Sequence, residues 1–184
     1  VLARHLDPSG GTYRWDGVDV RDLDADVVRS RIAFVDDDPH LFAGTLGANL
    51  LLAQPGASDD EVRAALRRAG LGGWLDELTD GLDTHLGEYL VGAGRDGAET
   101  AGTATERSIS GGERARLGIA RALLSERPVI ALDEPVAHLD GPTADAVIRD
   151  LLEASDGRTV VMVSHHPVAF DALDRVVELE FARA

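Results

Sequence analysis

Apolar residues follow two spacings along the chain, and segments of the two kinds alternate. Three short apolar runs have the length and composition of buried strands: 31–35, 129–132 and 159–163. Three longer windows carry apolar residues three or four positions apart and predict helices: 59–69, 110–125 and 143–154. Continuous apolar strands that alternate with helices indicate a mostly parallel sheet in an α/β domain.

Weaker patterns predict the remaining elements. Residues 1–6 have the pattern of the end of a helix, and residues 12–15 and 18–20 predict a short hairpin. Residues 71–78 extend the helical region that follows the predicted helix 59–69. Residues 89–107 are rich in Gly, Ala, Thr and Glu without periodicity, and we expect a mobile surface loop there.

Composition narrows the class of protein. The 184 residues are enough for one domain, and 44% hydrophobic with 28% charged residues is typical of a globular protein. The net charge of −15 creates a field that repels nucleic acid, so we expect no nucleic-acid partner. Without cysteine there are no disulfides or thiolate metal sites, and all 18 basic residues are arginine.

Two carboxylates follow the apolar run 129–132. Asp133 and Glu134 lie where an α/β sheet presents ligand-binding residues, at the carboxyl end of a strand. One carboxylate there can hold Mg²⁺ through water, and a second can orient or deprotonate a water that attacks a phosphate. An acidic turn after a strand is the ordinary alternative, and this motif alone leaves both open.

Ser110, Gly111, Gly112 and Glu113 open the predicted helix 110–125. Serine can cap the helix, and glutamate lies where a capping box places its acid. Free N–H groups at a helix start attract anions, and glycine lets a ligand approach the backbone. An ordinary capped helix explains the serine and the glutamate, but not two glycines, which cost helix stability.

His165 follows the apolar run 159–163, beside the predicted Asp133 and Glu134 strand. A histidine there can contact a terminal phosphate, whereas a lone histidine is more often an ordinary surface residue. Its spacing to the other motifs reverses that preference.

In this order and spacing, the motifs resemble the ABC ATPase family. Residues 110–114, preceded by Ile109, look like the signature sequence, with glutamate at its last place. Residues 129–134 look like the Walker B strand with its catalytic glutamate, 137–140 like the D-loop, and His165 like the switch histidine. Two further stretches look like the Q-loop and the membrane-facing segment of exporters: 37–45 and 81–88.

The resemblance implies a P-loop NTPase-like ABC ATPase domain over 1–184, with a helical subdomain at about 40–126 that carries the signature helix. It implies ATP and Mg²⁺ as cofactors. The catalytic residues would be Glu134, which activates water, and His165, which senses the γ-phosphate. Residues near the metal would be Asp133 and Asp37. Residues that bind the nucleotide would be Ser110, Gly111, Gly112, Glu113 and Asp140.

In the family two such domains meet head to tail around two ATP molecules and drive a transmembrane domain. We therefore expect a second ABC domain, a transmembrane domain in the same parent chain, and a place at the cytoplasmic face of the plasma (inner) membrane. Residues 39–52, 110–124 and 133–140 look most like the C-type half of the thiol-reductant exporters linked to cytochrome bd assembly. That subtype implies a heterodimer that exports cysteine or glutathione.

Two departures from the family pattern bear on activity. The phosphate-binding G-x-x-x-x-G-K-[ST] loop has no counterpart, and the family helix after that loop ends near a sequence like Leu6, Asp7 and Pro8. We therefore expect an N-terminally truncated domain that binds ATP weakly or not at all as given. Asp37 stands where the family has glutamine, which adds negative charge near the phosphates.

Two other functions are open at this point. One is a degenerate, non-catalytic domain that completes a partner's ATP site, which Asp37 favours and Glu134 opposes. The other is an ABC ATPase without transport activity, such as a DNA-repair or translation factor. The acidic charge and the exporter-like segments argue against the latter.

Overall fold

The computed structural model describes residues 2–86, 109–137, 139–155, 157–165 and 173–178. Its strands are β1 (Arg14–Trp15), β2 (Val18–Asp19), β3 (Ile32–Val35), β4 (Gly44–Thr45), β5 (His85–Leu86), β6 (Val129–Asp133) and β7 (Thr159–Val163). Its α-helices are α1 (Ala25–Ser30), α2 (Leu46–Leu51), α3 (Asp59–Arg68), α4 (Gly72–Asp76), α5 (Gly111–Leu124) and α6 (Gly141–Ala154). Short 3₁₀ turns cover Val20–Asp22 and Gly81–Asp83.

The central sheet is parallel, in the order β3-β6-β7. Ile32 pairs with Val129, and the ladder continues to Val35 opposite Leu132. On the other side of β6, Asp133 pairs with Val163. The predicted α/β class with a parallel sheet is therefore confirmed, and the segments that follow the three strands leave the sheet at one edge.

Helix α5 lies in the middle of the larger core. It packs against α2, α3, α6 and β3, and its apolar face supplies fully buried side chains such as Leu117 and Leu123. The core also contains Leu66 of α3, Ile130 of β6 and Leu151 of α6. A small second cluster of Val28, Ile32 and Ala131 lies under Trp15. Apolar faces at helical spacing thus pack as the sequence predicts.

The structure corrects the prediction for residues 1–6. Residues 2–6 form turns and bends instead of the end of a helix, and Arg4 has a φ of 51°. The Arg4 guanidinium instead donates to the carbonyl oxygens of Val20 and Leu23, at 2.6 Å each.

A smaller correction concerns the predicted strand 18–20, because Val20 begins a 3₁₀ turn instead of extending β2. The predicted loop 89–107 lies outside the described residues. No helix in the described ranges is both long and apolar enough to cross a membrane.

Gly70 ends the α3 region in a conformation that only glycine adopts without strain. Its φ is +74°, and a Cβ atom there would overlap with Nη1 of Arg116 and lie 2.5 Å from Oδ2 of Asp150. Arg116 in α5 donates to that Asp150 oxygen at 2.9 Å and to the carbonyl of Ala69 at 3.2 Å. The absent side chain therefore leaves room for the ion pair that joins α3, α5 and α6.

We expect Gly70→Ala to destabilise the protein by about 1–3 kcal/mol from the left-handed backbone alone. Displacement of the Arg116–Asp150 pair adds to that loss. The matched control is Gly73→Ala in α4, where a Cβ meets nothing within 4 Å and φ is ordinary. The control should be neutral or stabilising by up to about 1 kcal/mol. Urea unfolding measures both changes, and equal midpoints for the two variants would contradict this account.

Candidate functional site

The residues predicted to be catalytic or near the metal lie at the carboxyl edge of the β3-β6-β7 sheet. Asp133 is the exposed last residue of β6, and Glu134 follows it, half-buried. His165 comes two residues after the end of β7, and Asp37 two residues after the end of β3. The parallel ladder brings these four side chains to one edge, although Asp37 and His165 are 128 residues apart in the chain.

Glu134 and His165 are in direct contact. Nδ1 of His165 lies 2.8 Å from Oε1 of Glu134, and the His165 backbone N–H donates to the same oxygen at 3.1 Å. The Ser164 hydroxyl donates to Oε2 at 3.4 Å. The His165 side chain is 74% exposed and that of Glu134 26%. The pair therefore orients the carboxylate while its histidine faces solvent.

The backbone at Glu134 is held in an uncommon conformation. Its φ is 44°, a left-handed value that costs a residue with a Cβ about 1–3 kcal/mol. Two hydrogen bonds fix the turn: Glu134 N–H donates to the Val163 carbonyl at 2.9 Å, and Ala137 N–H donates to the Glu134 carbonyl at 3.0 Å. Val136, 1% exposed, anchors the turn in the core. This conformation points the carboxylate toward β7.

The start of α5 is the predicted capping box. Ser110 Oγ accepts from Glu113 N–H at 3.2 Å, and Glu113 Oε2 accepts from Ser110 N–H at 2.7 Å. A Cβ on Gly111 would meet nothing within 4 Å, and one on Gly112 would make only ordinary contact with Leu139. Packing within the described residues therefore does not require either glycine. The open approach to this helix start keeps the anion-binding interpretation available.

Asp140 caps α6. Its carboxylate accepts from the Thr143 N–H at 3.0 Å and from the Thr143 hydroxyl at 2.9 Å. Those hydrogen bonds lower the pKa of Asp140, the backbone bond first. Leu139 beside it approaches Gly112, so the Asp140 turn lies against the start of α5.

Asp37 lies near the same helix start. A cavity of about 170 Å³ is bordered by Asp37, Pro39, Gly111, Pro135 and Leu139. One Asp37 oxygen accepts from Asp38 N–H at 2.9 Å. Asp38 in turn pairs with Arg114 of α5 at 3.4 Å. The structure therefore brings the segment after β3, the start of α5 and the turn after β6 together, although the sequence separates them.

The acidic side chains at this edge suit Mg²⁺ only if water and substrate phosphates also bind the ion. In the described ranges no three acidic or histidine side chains cluster closely enough to hold a metal ion by themselves. Mg²⁺ commonly keeps its waters and takes one or two protein carboxylates with substrate phosphates, and exposed Asp133 can be one of these. The chain contains no lysine, so it contributes no lysine contact to a phosphate.

The sequence analysis did not identify Arg121 and Asn49, which are hydrogen-bonded to each other at the far end of α5 from Ser110. Arg121 interrupts the apolar residues of α5 between buried Ala120 and Ala122. That interruption is the signal in the sequence, since a charge among buried positions needs partners.

Comparison with known proteins gives similarity over the whole chain. The family model described as "ABC transporter" matches residues 1–137. The mycobactin import ATP-binding/permease protein IrtB of Mycolicibacterium thermoresistibile is 39% identical over 183 residues, covering 100% of this chain and 29% of IrtB. The cyclolysin secretion/processing ATP-binding protein CyaB of Bordetella pertussis is 36% identical over 180 residues, covering 98% of this chain and 23% of CyaB.

A solved structure is similar as well. It is a bacterial Atm1-family ABC exporter with ATP bound, with a TM-score of 0.72 and 29% identity. The match covers 90% of this chain and 26% of that one. The chain thus spans less than a third of the length of each of these three proteins.

The lowered pKa of Asp140 predicts how stability depends on pH. A carboxylate whose pKa is lower in the folded state stabilises the fold above its unfolded pKa, and this contribution is lost as pH falls through the folded pKa. An asparagine at this position still caps a helix but does not titrate. We therefore expect wild type to lose more stability than Asp140→Asn between about pH 5 and pH 3.

Urea midpoints at the two pH values measure this difference. Asp145→Asn, within α6 and away from its cap, is the matched control and should keep the wild-type pH dependence. A wild-type pH dependence in Asp140→Asn would contradict the prediction.

Proposed function

The chain belongs to the ABC transporter family as an exporter-type ATP-binding domain, and we propose that Glu134 is the carboxylate with which it hydrolyses ATP. ATP-binding domains of this family are ATPases. The observation that carries the proposal is the contact of Glu134 with His165 at the carboxyl edge of the sheet, at 2.8 Å.

The proposed roles follow from the position of each side chain. Glu134 orients the attacking water and receives its proton, while His165 holds the Glu134 carboxylate and faces the terminal phosphate. Asp133 would hold a hydrated Mg²⁺, which would neutralise phosphate charge. Asp37 follows β3 at the same edge and would supply a second carboxylate for that ion.

The start of α5 has a different proposed role. Gly111 and Gly112 present backbone N–H groups at an open helix start, and Ser110 presents its hydroxyl there. We assign these three residues to the phosphate of a nucleotide held by a second ATP-binding domain. Glu113 contributes through its capping box, which fixes Ser110. Asp140 fixes the turn that lies against Gly112. Two domains would thus complete each site together.

For the whole protein we propose that hydrolysis drives a transmembrane domain at the cytoplasmic face of the membrane. Its support is that a relative named ATP-binding/permease protein contains this region as 29% of its length. Within the chain, residues of about 40–126 form the proposed helical subdomain that joins the site to the transmembrane domain. Any lysine that contacts the phosphates would come from outside this chain.

For the cargo we propose thiol reductants such as cysteine or glutathione, and a heterodimeric partner. The support is the likeness of residues 39–52, 110–124 and 133–140 to the C-type half of the thiol-reductant exporters. Named relatives are described by different cargoes, mycobactin and cyclolysin among them, so this domain alone does not select the cargo. Uptake of labelled glutathione or cysteine by inverted vesicles that contain the native assembly tests this proposal. Equal accumulation with and without ATP would refute it.

Glu134→Gln tests the catalytic proposal in the native assembly. The amide keeps the size of the side chain but does not accept the proton, so we expect kcat for ATP to fall by about 10²–10⁴. Retained binding of labelled ATP would show that the nucleotide site itself is intact.

The matched control is Glu126→Gln, because Glu126 is exposed and also has a left-handed φ, 52°. It should keep wild-type kcat. Unchanged turnover in Glu134→Gln would refute the catalytic role and favour the alternative, a domain that only completes its partner's site.

A further inference from the structure

Arg121 makes three hydrogen bonds from inside an apolar helix. In α5, its Nε donates to the carbonyl of Asn49 at 2.9 Å, and its Nη2 donates to Oδ1 of Asn49 at 2.6 Å. Its Nη1 donates to the carbonyl of His40. Burial lowers the pKa of Arg121, which reflects the cost of keeping this charge away from water.

Asn49 is the other half of this network and is only 2% exposed. Besides the bond from Arg121, its Oδ1 accepts from the N–H of Phe42 at 2.9 Å. Its Nδ2 donates to the carbonyl of Phe42 at 2.9 Å and to that of Thr45 at 3.0 Å. All four hydrogen-bonding positions of the amide are therefore used.

The network joins the segment 40–45 to α5. Most of its acceptors are main-chain carbonyls, so it fixes backbone positions instead of side chains that can turn away. The segment carries Phe42, whose ring is 52% exposed and packs edge-on against His40 with centroids 4.7 Å apart. The other end of α5 begins at the Ser110 cap.

We propose that Arg121 and Asn49 are positioning residues that lock segment 40–45 to α5 and thereby hold the helix start at Ser110 in the orientation that hydrolysis needs. This inference rests on the proposed function, since it assumes that Ser110 faces a nucleotide. Neither Arg121 nor Asn49 touches the Glu134–His165 pair.

The chemistry favours positioning over simple stabilisation. A buried charge contributes little net stability, because the cost of removing it from water offsets its hydrogen bonds, and an apolar pair of equal volume often does as well. The guanidinium fork, in contrast, fixes direction at several acceptors at once. A lysine keeps the charge but lacks that planar fork, so Arg121→Lys separates the two effects.

The first test measures the lock directly. Because the chain has no cysteine, thiols introduced at Ala43 and Glu126 are the only ones it carries, and both positions are exposed. Spin labels there, in the native assembly, should give one narrow distance distribution in the otherwise wild-type chain. We expect Arg121→Lys and Asn49→Ser to broaden it, and a distribution that stays narrow in both would overturn the lock.

The second test asks whether the lock matters for hydrolysis. We expect kcat per folded molecule to fall roughly tenfold or more in Arg121→Lys, because small misplacements of a contacting group are costly, while KM for ATP changes less than about twofold. The control is Arg158→Met. Arg158 is also half-buried and donates to α5 carbonyls, at Ala122 and Leu123, but does not reach segment 40–45.

Normalising kcat to the folded fraction, measured by thermal unfolding, removes any loss that comes only from stability. Equal kcat per folded molecule in Arg121→Lys and Arg158→Met would overturn the functional part of the inference. If the wild-type assembly hydrolyses no ATP, the proposed function fails, and the label distances still decide whether the lock exists.

Discussion

The hydrogen-bond register between β3, β6 and β7 is the constraint on which the candidate site depends. A parallel ladder fixes neighbouring strands in steps of residues, and a slip by one residue would turn each side chain to the opposite face. With Asp133 paired to Val163, Glu134 and His165 come within hydrogen-bonding distance of each other. The core residues that hold β6 in this register thereby fix the distance between the side chains of Glu134 and His165.

Helix α5 imposes the second constraint, because each of its ends is tied to a different part of the chain. Its first turn lies against the turn at Leu139 and beside Asp38, while its last turns hold Asn49 and the loop before it. A helix of fourteen residues connects those two regions. The site is therefore better described as a junction of three segments than as one loop.

The sequence predicted those strands and helices that local residue patterns determine. Strand β7 and helices α5 and α6 were predicted within about two residues at each end, because apolar spacing and the Ser110 cap are local signals. The prediction for residues 1–6 failed because long-range hydrogen bonds of Arg4 decided the conformation of residues 2–6. The sequence marks Arg121 as a charge among apolar positions, but it could not predict the partners of Arg121, which include a main-chain carbonyl 81 residues away.

The left-handed backbone of Glu134 has a consequence for how this position responds to selection. Glycine and asparagine adopt such a backbone more easily than glutamate does. A library randomised at position 134 and screened only for folded protein should therefore enrich glycine and asparagine. Under the proposed function, a screen for turnover should return glutamate. Comparing the residues enriched in the two screens would distinguish those that the backbone conformation favours at position 134 from those that hydrolysis requires.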